Sequence, residues 1–284
     1  MGSTTTKTTS TKERITLVGV QETLMVPLLA RLQDFQDPNS LLHDQWAGQI
    51  LNSIDYDTTR TQSDAGLSTS MLLRARLLDV WTTEFLDKNP EATVLHLACG
   101  LDSRHLRVNW GRPGVRWIDV DFPDVIDLRK KLYSEPDTHL KGDYRMIASS
   151  VTDDGWLEDV PKDRPTIAVM EGLVMYLSLA ESMKLVELIA GRFPSGEVAF
   201  DASGAMLARL QAWLKPVHKT GAVVQCGLDD PKIMEECGVT LQNQLGMVDV
   251  PGFERYPLAY RITLWIYCCL PYFKTMATYL RYSF

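Results

Sequence analysis

Apolar residues change their spacing once along this chain, near Thr93. Before that point they recur every three to four positions, the period of a helix with one buried face. Leu17, Val20, Leu24 and Leu28, with Leu29 and Leu32 beside them, predict a helix over 15–32 that Pro27 should kink or divide. Asp37-Pro38-Asn39-Ser40 reads as a turn and cap, 41–54 as a second helix and 55–65 as a polar loop. Residues 66–86 predict a long helix with Leu73, Leu77, Val80, Trp81 and Phe85 on one face. No strand precedes it, so this helical segment is expected to lie against a later core.

From Thr93 short apolar runs alternate with amphipathic stretches. Strands are predicted over 93–98, 115–120, 144–148, 166–170 and 197–200. A helix from Pro123 to about Tyr133 starts with proline where a first turn tolerates it. It ends in Arg129, Lys130 and Lys131, where cations favour the helix dipole. Ser178 and Glu181 form a capping-box pair ahead of Met183, Val186, Ile189 and Ala190, and Gly191 and Pro194 stop that helix. A further helix is expected over 204–214. Five strands with helices between them mean an α/β fold with a doubly wound, mostly parallel, Rossmann-like sheet. Beyond Leu214 the pattern weakens: a helix is expected from Leu228-Asp229-Asp230-Pro231 to about Cys237, and 240–247 and 262–267 are taken for the last strands. The chain thus divides into a disordered tail (1–14), an N-terminal helical cap (15–90) and a core with C-terminal strands (91–284).

Composition narrows the class. The 284 residues are 45% hydrophobic and 23% charged, as in ordinary globular proteins. A net charge of −7 without a Lys/Arg block argues against nucleic acid as the main partner. The cysteines are Cys99, Cys226, Cys237, Cys268 and Cys269: an odd number with no C-x-x-C pair, so neither a disulfide framework nor a metal site is expected. A reducing, cytoplasmic setting fits them. Met1 to Ser10 is Ser/Thr-rich without an apolar core, which reads as a frayed tail rather than a signal peptide. The apolar run Ile262 to Phe273 is too short to span a bilayer and is interrupted by Pro271; it reads as a buried strand and turn.

Doubly wound sheets bind ligands outside the carboxyl ends of their strands. The residues there are Ala98 to Gly100, Asp121, Ser150, Glu171 and Asp201, which should form one rim. A small residue at Gly100 lets the backbone approach a ligand. Asp121, about 20 residues on, has the spacing of a ribose-binding acid; an ordinary βα corner with an acidic helix start is the alternative. Glu171 ends a buried strand, and a charge there needs a partner. Tyr176 is either a core tyrosine or a rim group. No role follows for Asp201.

The residues at this rim also form recognisable motifs. Leu97-Ala98-Cys99-Gly100-Leu101-Asp102-Ser103-Arg104 resembles the LGaGlDtR motif of the leucine carboxyl methyltransferase family. Asp119-Val120-Asp121-Phe122-Pro123-Asp124-Val125 resembles its E-x-D-x-P-x-V, and Glu171-Gly172-Leu173-Val174-Met175-Tyr176-Leu177 its EGvlmYL. Glu22 to Leu28 and Trp156-Leu157 are similar to the branch of O-methyltransferases acting in polyketide synthesis. The resemblance implies a class I methyltransferase fold and S-adenosylmethionine as cofactor. It implies that Ala98, Cys99 and Gly100 face the methionine part and that Arg74 pairs with the cofactor carboxylate. Asp121 would bind the ribose, Ser150 and Val151 would flank the adenine, Glu171 would be a further cofactor-binding acid, and Tyr176 would lie near the transferred methyl. Arg74 has an exposed helix arginine as its alternative. Two departures stand out: Ala98 replaces a family glycine, and Ser150 replaces an aspartate of the phosphatase-directed branch.

The implied function is methyl transfer to an oxygen of a small, largely apolar molecule, a carboxylate or a phenol, with a polyketide among the candidates. Methylation of a protein C-terminal carboxylate and a non-methylating cyclase or binding scaffold are the alternatives. None of His43, His96, His105, His139 and His218 falls in a recognised motif, which favours an acceptor that needs no base. The acceptor is expected between the N-terminal helices and 171–177, with Tyr176 on one side and Leu24, Met25 and Leu28 on the other.

Overall fold

The structure is a computed structural model that describes residues 13–14, 24–61, 64–133, 142–210, 223–270, 273 and 275–284. Its centre is a seven-stranded sheet of β3 (Ala92–Leu97), β4 (Val115–Asp121), β5 (Asp143–Ala148), β6 (Thr166–Met170), β7 (Gly196–Ala202), β8 (Thr240–Gly246) and β9 (Thr278–Ser283). Their order across the sheet is β5-β4-β3-β6-β7-β9-β8. The first five strands in this order are parallel, and β9 runs antiparallel between β7 and β8. The neighbours of β3 are β4 on one side and β6 on the other, so the order reverses there and opens a crevice at the strand ends. A separate two-residue pair joins β1 (Glu13–Arg14) to β2 (Ile54–Asp55).

The central strands are apolar at successive positions because both sheet faces are covered. Val94, Trp117, Ile167, Val169, Ala199 and Tyr279 share one cluster with α3 (Ala65–Lys88), through Leu73, Leu77, Leu78, Trp81 and Phe85. Leu95, Leu97, Val120, Met170, Val198 and Phe200 face the other way, against Leu185, Val186 and Ile189 of α6 (Leu179–Arg192). Caps fix where both helices begin. The Asp64 carboxylate accepts the Leu67 N–H at 2.8 Å, and the Ser178–Glu181 capping box is complete. Alanine at Asp64 would cost about 1 kcal/mol, the usual value of such a cap.

The helices α1 (Met25–Gln36) and α2 (Trp46–Ser53) bury Met25, Leu28, Ala47 and Ile50 with Leu101, Leu128 and Tyr133. Leu128 belongs to α5 (Pro123–Leu132), and α4 (Arg104–Arg107) is one short turn after β3.

Several expectations need correction. Pro27 does not divide its helix: α1 begins at Met25, so the proline sits in the first turn, where no N–H is needed. Residues 15–23 of the expected helix lie outside the described residues, as does the tail apart from 13–14. The second helix is shorter than 41–54, because Asp34 accepts the Leu41 and Leu42 N–H groups at 2.7 and 3.0 Å and holds that segment as a loop. Val80 is exposed, off the buried face of α3. The run 262–267 is not a buried strand: it belongs to a helix, α8 (Leu258–Cys268), none of whose residues is buried, and the last strand is β9. Of the helix expected over 204–214, α7 (Ala205–Leu210) is observed and 211–214 lie outside the described residues.

Candidate active site

An open cleft of about 580 Å³, solvent at its mouth included, lies at the carboxyl ends of β3, β4 and β5. Its walls bring together Ala98, Asp121, Ser150, Val151 and Tyr176, all candidates from the sequence. Phe122, Ser149, Thr152, Leu173, Leu177, Glu181 and Gln225 complete it; the sequence marked Glu181 only as a helix cap and Gln225 not at all.

The turn after β3 is left-handed at two positions, Ala98 and Gly100, both with φ of 50°. At Gly100 a side chain would be strained and its Cβ would stand 2.7 Å from Leu24 Cδ2, which would have to shift, so glycine is favoured there. Ala98 adopts the same conformation at a cost of about 1 kcal/mol. The Asp121 carboxylate fastens the turn from the next strand: Gly100 N–H donates to Oδ2 at 2.6 Å and Phe122 N–H to Oδ1 at 2.7 Å. Burial pushes this carboxyl up, and the two N–H groups oppose the shift. An ionised carboxylate has about four lone-pair sites. Two remain, enough to accept from a ligand's hydroxyl groups.

Beside the cleft runs a chain of buried ion pairs. Arg74 Nη1 donates to Asp201 Oδ2 at 2.9 Å, and its Nη2 to Glu171 Oε1 at 3.1 Å. Arg104 Nη2 reaches Glu171 Oε2 at 2.5 Å, and its Nε reaches Asp79 at 2.6 Å. Arg107 links Asp79 to Asp102, at 2.9 and 2.6 Å. Burial alone would raise the Glu171 carboxyl, but Arg74 and Arg104 outweigh it and hold the group below its usual range. Burial alone would lower Arg74, and Asp201 and Glu171 hold it above its usual value. Glu171 therefore has the partners its position demanded. Asp201 also accepts the Gly172 N–H at 2.6 Å, which ties the start of the 172–176 segment to Arg74.

A second buried pair lies under the turn. Arg129 Nη1 donates to the carbonyls of Gly100 (2.7 Å) and Asp102 (2.8 Å), and its Nη2 pairs with Asp119. Asp119 also accepts from Trp117 Nε1 (2.8 Å) and Tyr144 Oη (2.6 Å). Arg129 does stand in the last turn of α5, as expected, but it is fully buried and holds the β3 turn as well. A cation in a last turn looks the same in sequence whichever way it faces; only the fold aims it at the turn.

Arg74, Cys99, Gly100 and Glu171 are not among the groups lining the cleft. Arg74 and Glu171 sit beside it in the ion-pair chain, Gly100 carries the N–H held by Asp121, and the Cys99 side chain is buried. Met25 and Leu28 are also wholly buried, so they line no cavity; Leu24 alone of that trio meets the turn at Gly100. Among the described residues no group of His, Cys, Asp and Glu is arranged to hold a metal ion, and no helix is long and apolar enough to cross a membrane.

Comparison with known proteins matches this geometry. The chain is 41% identical over 241 residues to the tetracenomycin polyketide synthesis O-methyltransferase TcmP of Streptomyces glaucescens, covering 84% of this chain and 87% of that one. It is 40% identical over 240 residues to the S-adenosyl-L-methionine-dependent methyltransferase dpfgK of Gibberella zeae, covering 79% and 80%. The crystal structure of a DUF574 family protein from Streptomyces avermitilis shares the fold, with a TM-score of 0.57 at 14% identity over 90% of this chain and 96% of that one. Residues 25–190, more than half of the sequence, match the leucine carboxyl methyltransferase model. With the βα turn, the strand-end acid and the ion-paired glutamate in their expected places, the chain belongs to the leucine carboxyl methyltransferase family, a family of S-adenosylmethionine-dependent methyltransferases.

Proposed function

We propose that this enzyme transfers the methyl group to an oxygen of a small, largely apolar molecule, with a carboxylate as the preferred acceptor and a polyketide as the substrate class. One observation carries the choice of acceptor: among the described residues, which leave out His139 and His218, no histidine lines the cleft, and its phenol, Tyr176, has its pKa pushed up by burial, with Arg74 opposing. Tyr176 is therefore protonated at neutral pH and serves as a hydrogen-bond donor and wall, not as a base. A phenol acceptor would need a base within reach, and the two carboxylates of the cleft are already engaged, Asp121 by the Gly100 and Phe122 N–H groups and Glu181 by Ser178; a carboxylate acceptor is already a nucleophile. The similarity to TcmP supports the polyketide class.

The residues present fit the cofactor. Asp121 keeps lone pairs beyond its two backbone bonds that would take the ribose, and Ser150 and Val151, in the cleft wall, would flank the adenine. In this reading Arg74, held beside the cleft by Asp201 and Glu171, would pair with the methionine carboxylate, and Gly100 and its neighbours would face the methionine part. When bound, S-adenosylmethionine supplies an electrophilic methyl on a sulfonium, open to in-line displacement. The chain's own contribution is to hold the acceptor oxygen in line and to exclude water. Residues 15–90 act as the cap in this reading, with Leu24 over the turn. A reducing, cytoplasmic setting suits Cys99, Cys226 and Cys237, which are buried outside any disulfide.

Calorimetry with S-adenosylhomocysteine, followed by a labelled-methyl assay on matched aromatic carboxylates, phenols and C-terminal peptides, tests this. Cofactor binding with turnover of the carboxylates is expected. Turnover confined to the peptides would move the enzyme to protein carboxylates, and binding without any methyl transfer would favour a scaffold or cyclase. No binding at millimolar cofactor would sink the reading.

A further inference from the structure

The helix α8 is turned inside out relative to an ordinary surface helix. Its inner side is already satisfied: Tyr260 stacks on Tyr256 at 5.5 Å and covers Gly66 at the start of α3, and Leu264 packs against the adjoining core. The opposite side carries Leu258, Ile262, Trp265 and Cys269, spaced four, three and four residues apart, with Ile266 beside them. That spacing marks a single helical seam. Leu258 is 68% exposed, Ile262 52%, Trp265 65% and Ile266 52%, and Leu270 continues the surface one turn on at 47%. Other large apolar side chains that reach solvent among the described residues, such as Phe35, Val80 and Leu188, come from three different helices.

We infer that this face of α8 is where a second copy of the same chain docks, the two helices meeting across a two-fold axis. Three observations select that occupant. The first is charge. The only charged residue of α8 is Arg261, which lies to the side with its guanidinium 5.9 Å from the Phe253 ring. Two copies therefore meet without like charges opposed. The second is register: a 4-3-4 seam is self-complementary, so one helix fits its own copy. The third is area. Five such side chains at about half exposure present on the order of 500 Å² per protomer, taking about 200 Å² for each when fully exposed. Two faces would then bury about 1,000 Å², the size at which specific association begins. A lipid surface fits less well, because helices that lie on membranes carry Lys and Arg along the polar side. This helix has one arginine, in a chain of net charge −7.

Sedimentation equilibrium on the full chain tests the inference. A species of twice the 32.0 kDa chain mass is expected at tens of micromolar. Ile262→Glu and Trp265→Glu should each give a monomer whose affinity for S-adenosylhomocysteine stays within twofold of the parent, since both side chains project from the folded monomer. A wild-type chain that is monomeric at that concentration overturns the proposal, as does a dimer that survives both substitutions. A monomer that co-sediments with vesicles of phosphatidylcholine and phosphatidylglycerol would assign the face to lipid and equally overturn it.

Discussion

Two regions of this molecule invert the usual division of side chains, in opposite senses. Around the turn after β3, Arg74, Arg104, Arg107, Arg129, Asp102, Asp119 and Glu171 are withdrawn from solvent, yet each meets opposite charge within hydrogen-bond distance. On α8, large apolar side chains face water. The buried charges are tolerated because the fold sets an opposite charge beside each of them, and they give the turn one arrangement. The exposed apolar residues of α8 have no partner among the described residues, and their placement fits contact with something else. Desolvated charge here marks a site already built within the chain; unpaired apolar surface marks one completed from outside.

The first way to break this contrast is to remove a partner inside. Arg129→Met leaves Asp119 buried without its cation and frees the Gly100 and Asp102 carbonyls. A loss of about 3–5 kcal/mol is expected, the usual cost of breaking a buried pair. Urea unfolding measures it, and a loss under about 1 kcal/mol would mean that the cluster does not hold the turn. Arg129→Lys, which keeps the charge but cannot span all three acceptors, should fall between.

Acid tests the same region without a mutation. Burial holds His105 down to about 3, against a free value of about 6.5. The unfolded chain therefore binds the proton first. Stability from this group is complete above pH 6.5 and is lost as pH falls towards 3, at up to about 1.4 kcal/mol per unit. Asp119 and Glu171, both held below their usual values, add losses only below about pH 4, near the unfolded carboxylate values. The urea midpoint should therefore begin to fall below pH 6.5. A profile flat from pH 7 to 4.5 contradicts a neutral buried His105.

Smaller effects sharpen the comparison at the cleft itself. Asp121→Ala should weaken S-adenosylhomocysteine binding by about 1.5–3 kcal/mol, the worth of hydrogen bonds to a charged group. Calorimetry that finds unchanged affinity removes Asp121 from the ribose. Ala98→Gly relieves a left-handed alanine and should stabilise the fold by up to about 1 kcal/mol, with cofactor affinity unchanged or tighter. Weaker binding in that variant would identify the alanine methyl as a fitted contact in the cleft wall.

The sequence alone determined the parallel sheet, the rim of strand-end residues, the Ser178–Glu181 cap and the family. Each is a local matter: a period of apolar residues, a turn residue, a cap spacing or a contiguous motif. It could not say which way Arg129 points, that Asp201 grips both Arg74 and Gly172, or that Glu181 and Gln225 share a cleft with Ala98. Those facts depend on segments far apart in the chain meeting at one edge of the sheet. It also misjudged 262–267, where an apolar run reads as a buried strand by composition. Burial is decided by what stands opposite: Tyr256 and the start of α3 take one side of α8, and nothing within the described chain takes the other.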